Sequence, residues 1–148
     1  MRVYLASSWR NTRQPDAVCL LRQAGHQVYD FRNPPGGIKD GFRWSEIDPD
    51  WRSWTAAQYR ANLQTPLAKR GFNSDFDGMR WAEVGVLLLP CGRSAHLELG
   101  WMAGAGKTTV IWTHDGEEPE LMALLATRIC TSRVELLDYL AELERVSS

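Results

Sequence analysis

The sequence predicts an α/β protein built on one doubly wound parallel sheet of about five strands, within a single domain spanning residues 1–148. Three observations lead there. Short apolar runs alternate along the chain with segments of helical period. The most apolar run, Val-Gly-Val-Leu-Leu-Leu at 84–89, has the composition of a central strand covered on both faces. A length of 148 residues suits one core that folds without disulfides.

Taken in order, residues 3–6 form a buried strand that stops at Ser7 and Ser8. Residues 14–24 place Ala17, Val18, Leu20, Leu21 and Ala24 at helical spacing, and Gly25 supplies the stop. Residues 27–31 make the second strand, so the unit closes as a right-handed parallel crossover. Residues 32–54 are rich in proline, glycine and tryptophan and lack a period. They are expected to form a long loop with at most short helical turns, a kind of loop that commonly walls a pocket.

Residues 55–69 are expected to be helical with a kink or break at Pro66, and 75–82 to form a further short helix. After the central strand, 94–105 reads as a helix, 108–112 as a strand, 119–126 as a helix and 128–130 as a short strand. A terminal helix at 133–145 shows Val134, Leu137, Leu140 and Leu143 on one face, for a core or a partner. The resulting flavodoxin-like order binds ligands beyond the carboxyl ends of its strands.

Composition narrows the function. Seventeen basic and 18 acidic residues leave a net charge of −1, which sets up no field to recruit a nucleic-acid polymer or an anionic membrane. Cys19, Cys91 and Cys130 are far apart and in no metal-binding spacing, which fits a reducing compartment. No apolar run approaches the roughly 20 residues of a membrane span, so the expectation is a cytoplasmic protein with a small-molecule ligand. Seven tryptophans suit either core packing or stacking on a flat ligand.

Gly104-Ala105-Gly106-Lys107-Thr108-Thr109 imitates part of a phosphate-binding loop. Trp101 stands where that motif requires its first glycine, and the segment leads from helix to strand, the reverse of the required order. The stronger site lies at 89–100, leaving the central strand and opening a helix. Ser94 and Glu98 share one face there, and Arg93 and Ser94 with the free amides of the first turn can receive an anion. Ser7, Ser8, Arg10 and Asn11 form a second polar cluster after the first strand. A third, Asn73-Ser74-Asp75-Phe76-Asp77-Gly78, carries two acids that can equally be helix caps. His26, His96 and His114 lack metal spacing, and only His96 is near the proposed site.

These residues resemble the nucleoside 2-deoxyribosyltransferase family and its nucleotide N-glycosidase relatives. The resemblance is carried by Tyr4-Leu5-Ala6-Ser7-Ser8-Trp9-Arg10-Asn11, by Asp75-Phe76-Asp77-Gly78-Met79 and, most specifically, by Gly92-Arg93-Ser94-Ala95-His96-Leu97-Glu98-Leu99-Gly100. It implies that Glu98 attacks the anomeric carbon, that Asp75 holds the base with Asp77 near it, and that Tyr4 orients the nucleophile. It also implies a homodimer or larger assembly with pockets completed across subunits. The deoxyribosyltransferases carry an acid shortly before the Ser-Ala pair, where this chain has Cys91-Gly92-Arg93. The Gly-Arg-Ser version is closer to relatives that hydrolyse nucleoside monophosphates, in which the serine helps to hold the 5′-phosphate. Such chemistry needs a carboxylate under the sugar and a proton for the leaving base, and no metal or organic cofactor. A nucleotide-binding module without turnover and a glycohydrolase of NAD-type dinucleotides are the alternatives.

Overall fold

The computed structural model describes residues 1–36 and 41–148, so residues 37–40 of the expected long loop lie outside the described residues. The chain divides into two compact units, one of residues 1–30 and 79–148 and the other of residues 31–78.

The first unit is the sheet. Its strands are β1 (Arg2–Ala6), β2 (Gln27–Tyr29), β3 (Val84–Leu88), β4 (Thr108–Trp112) and β5 (Arg128–Cys130), in the order β2-β1-β3-β4-β5. All four pairings are parallel. This is the doubly wound order the alternation predicts, and its direction reverses between β1 and β3. Every residue of β3 is buried, as the apolar run requires.

One sheet face carries Val3, Leu5, Val84, Val86, Leu88, Val110 and Trp112 against Ala17, Val18 and Leu21 of α1 (Gln14–Gln23) and against Leu136 and Leu140 of α5 (Arg133–Ser147). Gly25 ends α1 at φ 91, a left-handed position that only glycine takes without strain. The face of α5 differs from the one expected. Leu136 and Leu140 form its buried centre with Leu137 and Leu143 beside them, while Val134 is 60% exposed. The leucine stripe is therefore used in the chain's own core.

The opposite face receives α4 (Arg93–Gly104), whose Ala95, Leu99 and Met102 are buried. Gly85 makes the close approach possible: a Cβ there would stand 2.7 Å from the Met102 sulfur. Residues 119–126, expected as a helix, make only a 3-10 turn at Leu121–Leu125. It is capped by the Glu120 carboxylate, which accepts from the Met122 amide. The strand expected to run to Phe31 ends at Tyr29, and the first residue beyond it, Asp30, turns its carboxylate to Gln14.

The second unit holds α2 (Ala56–Asn62) and all but the last turn of α3 (Pro66–Trp81). The break expected near Pro66 separates two helices. Thr65 caps the second, its hydroxyl facing the Ala68 amide at 3.4 Å, and Pro66 takes the first helical position, where its missing N–H costs nothing. The short helix expected at 75–82 is the end of this longer one. Ser74 and Asp75 therefore lie inside a helix and cannot cap one. Among the described residues between Phe31 and α2, the chain makes only 3-10 turns at Trp44–Glu46 and Trp51–Ser53, in line with the expected loop. An aromatic cluster steadies it: Trp44 meets Phe42, Trp54 and Tyr59 edge to face, and the Trp54 indole donates to Asp48 at 2.7 Å.

Candidate active site at the sheet switch point

The reversal between β1 and β3 opens the sheet's carboxyl edge, and two loops meet there. After β1, Ser7 donates its hydroxyl to the Leu88 carbonyl at 2.9 Å. The Asn11 side-chain amide donates to the Pro90 carbonyl at 3.2 Å, to the Ser7 hydroxyl at 3.1 Å and, at 3.4 Å, to the Leu88 carbonyl. The Ser8 hydroxyl accepts from the Arg10 amide at 3.1 Å, and the Arg10 side chain is exposed. The loop after β1 is thereby tied to the end of β3, from which Cys91 and Gly92 lead into α4.

α4 opens on Gly92, which has no side chain to cap it, so Arg93 and Ser94 stand exposed on a first turn whose amides lack side-chain partners from the cap. Glu98 follows one turn later, half-buried and on the same face as Ser94. Its negative charge is felt by the Cys91 thiol. Burial first, then Glu98 and Glu117, push that thiol up to about 12, so Cys91 is a neutral S–H at physiological pH. The His96 ring Nδ1 lies 2.8 Å from the Gly92 carbonyl and 3.6 Å from the Cys91 sulfur, a pairing that looks like a nucleophilic dyad. A thiol raised in this way is held as the weakly nucleophilic S–H form, the opposite of what such a dyad needs.

Tyr4 is buried and stacks on Tyr29, ring centroids 5.0 Å apart and 11° from parallel. It pairs in register with Gly85, which faces α4, so Tyr4 lies on the α4 side of the sheet. Ser7, Ser8, Arg10, Asn11, Arg93, Ser94 and Glu98 thus belong to the carboxyl edge formed by β1, β3 and the start of α4, while Tyr4 lies further down β1, level with Gly85 near the start of β3. Asp75 and Asp77 belong to α3 in the second unit. They are two residues apart and so about 200° apart around the helix, with Asp75 half-buried and Asp77 exposed.

Sequence reading missed the buried pair Gln14 and Asp30, whose amide and carboxylate meet at 2.8 Å at the same edge. The available signal is an acid directly after a strand, masked because residues 27–31 read as one strand through Asp30 whereas β2 ends at Tyr29. Glu117, half-buried in the loop after β4, is a second carboxylate acting on Cys91 that no motif announced. Among the described residues, no three His, Cys, Asp or Glu side chains are grouped to hold a metal ion. Among them, too, no helix is long and apolar enough to cross a membrane.

Fold and edge together define a doubly wound α/β protein with a half-buried carboxylate and an open helix N-terminus at its switch point. Two solved structures share the fold. One is the 2-deoxyribosyltransferase of Bacillus psychrosaccharolyticus, similar with a TM-score of 0.63 over 94% of this chain and 92% of that one, at 18% identity. The other is the CMP N-glycosidase BcmB of Clostridium botulinum, with a TM-score of 0.52 over 95% of this chain and 99% of that one, at 17% identity. Both are of the kind that the sequence resemblance names, and at these identities the likeness shows the fold. No family model and no curated protein matches the chain.

Proposed function

We propose that the protein cleaves the N-glycosidic bond of a nucleoside or nucleoside 5′-monophosphate, with Glu98 as nucleophile and residues 1–148 acting as one catalytic domain. The observation that carries this reading is the place of Glu98. It is half-buried, one turn into the helix that leaves the switch point, and shares a face with Ser94 beside an uncapped helix N-terminus.

A carboxylate oxygen of Glu98 attacks C1′ while the C1′–N bond breaks, and the electron pair leaves with the base, which takes up a proton. Water or a second base then displaces the Glu98 carboxylate from C1′, so two inversions retain the configuration. Tyr4 is assigned to orient Glu98. The resemblance of the segment Asp75-Phe76-Asp77-Gly78 assigns Asp75 to the leaving base, with Asp77 as a further substrate contact. Arg93, Ser94, Ser8 and Arg10 are assigned to the 5′-phosphate, which suits a helix N-terminus flanked by guanidinium groups.

A second copy of the chain is the proposed partner. Between α4 and the chain after β4 runs an apolar groove of about 940 Å3, lined by Leu89, Leu97, Ile111, Met122, Leu125 and Ile129. Leu97 is 75% exposed and Leu124, in the adjoining turn, 82%. Glu117, Glu118 and Glu120 stand on the groove with Arg93, so it carries both charge signs for a self-complementary contact. A cytoplasmic setting fits this chemistry.

The test is incubation with a panel of nucleosides and 5′-monophosphates, with and without an acceptor base, and chromatography of the freed base. Release from a monophosphate, abolished by Glu98→Gln, supports the reading. No release from any member contradicts it.

A further inference from the structure

We infer that Ser7 and Asn11 are positioning residues that hold the end of β3 where α4 must begin, rather than groups that touch the ligand. The inference rests on the reading of Glu98 given above. Asn11 is 3% exposed. Its amide nitrogen faces three acceptors, the Leu88 and Pro90 carbonyls and the Ser7 hydroxyl, while its oxygen accepts from the Arg13 amide at 2.9 Å. Its backbone is engaged too, the amide donating to the Ser8 carbonyl and the carbonyl accepting from the Gln14 amide. A ligand reaching this side chain would have to break contacts that hold the two loops together, at a cost that buried polar groups do not recover from an alternative partner.

The second observation is the missing cap. Gly92 gives α4 no side-chain acceptor, and a Cβ placed there would meet nothing within 4 Å. The helix start is therefore not fixed by its own first residue. Only Cys91 separates Pro90 from Gly92, so the Asn11 contact to the Pro90 carbonyl is the nearest anchor from outside the helix. A drift of Pro90 passes through this short connection to Arg93 and, one turn later, to Glu98.

Asn11→Asp keeps the size of the side chain and the acceptor for Arg13 but sets a carboxylate among three oxygens. Ser7→Ala removes the bond to the Leu88 carbonyl and one of the three Asn11 acceptors, and spares the fold. Kinetics on the best monophosphate of the panel should show kcat lowered about ten- to a hundredfold in Asn11→Asp with KM nearly unchanged, the signature of a displaced nucleophile. Amide hydrogen exchange of the full chain should quicken at residues 91–94 in both variants, more in Asn11→Asp. A raised KM with unchanged kcat, or unchanged exchange at those amides, would overturn the inference. A wild type inactive on every substrate would instead overturn the reading of Glu98, and the exchange measurement alone would then decide whether the clamp exists.

Discussion

Gly85→Ala tests how closely α4 must approach the sheet to present Glu98. The new methyl would lie 2.7 Å from the Met102 sulfur, 3.1 Å from its terminal carbon and 3.3 Å from Leu99 Cδ1. Carbon contacts settle near about 3.5–4.0 Å, so roughly 1 Å must be recovered by moving Met102 or lifting the helix. Overpacking of this kind costs about 1–3 kcal/mol, and a flexible thioether keeps it below the upper end, near about 2 kcal/mol. The strand gains back about 0.5–1 kcal/mol because alanine loses less backbone entropy than glycine. A net loss of about 1 kcal/mol remains, which lowers Tm by about 2–4 °C in a chain of this size. Met102→Ala alone should cost about 2–5 kcal/mol through its cavity. In the double variant the new methyl enters that cavity, so the combined loss should fall short of the sum by about 0.5 kcal/mol or more. Urea and thermal melts followed by circular dichroism measure all four corners. An unchanged or higher Tm for Gly85→Ala, or simple additivity, would refute the packing argument.

Glu98→Gln removes one of the charges that hold the Cys91 thiol neutral, so its pKa should fall and alkylation at alkaline pH quicken, while the exposed Cys19 keeps its rate, as labelling with mass spectrometry would show. His114 is held below its ordinary value by burial and then by Arg13. The unfolded chain therefore takes up this proton first, and stability should fall as pH drops from the ordinary value of 6.5 toward the lowered one. Urea midpoints between pH 8 and about 5.5 should show a shallower slope in His114→Asn. Arg93→Ala or Arg10→Ala should lower kcat/KM on a monophosphate about ten- to a hundredfold and leave the free nucleoside almost untouched. Sedimentation should show a dimer that Leu97→Arg separates, and a wild type monomeric at micromolar concentration would remove the proposed groove contact.

The strands were legible because a doubly wound sheet buries both faces, so Val84–Leu88 stands out as an unbroken run without a polar side chain and Thr108–Trp112 as a β-branched run ending in Val-Ile-Trp. The helix that carries Glu98 could be placed from the glycine before Arg93 and the run after it. α3 was harder. Gly71, Asn73, Ser74 and Gly78 are weak helix formers, yet all lie inside it, and Gly71 leaves room for Phe42, whose side chain a Cβ at that position would meet at 3.0 Å. That contact comes from a distant part of the chain and leaves no local mark. The leucines of α5 were recognised as a packed stripe, but helical period cannot distinguish a core from a partner, and the structure assigns them to the core. Asn11 was visible as a polar loop residue. Its burial follows only from the pairing of β1 with β3, which no local pattern encodes.

The most direct test of the account is the stereochemistry of methanolysis. Wild-type protein, supplied in aqueous methanol with the monophosphate it cleaves best, should form a methyl glycoside of retained configuration, and Glu98→Gln should form essentially none. An inverted product, or a Glu98→Gln rate above about a tenth of wild type, would contradict covalent catalysis by Glu98.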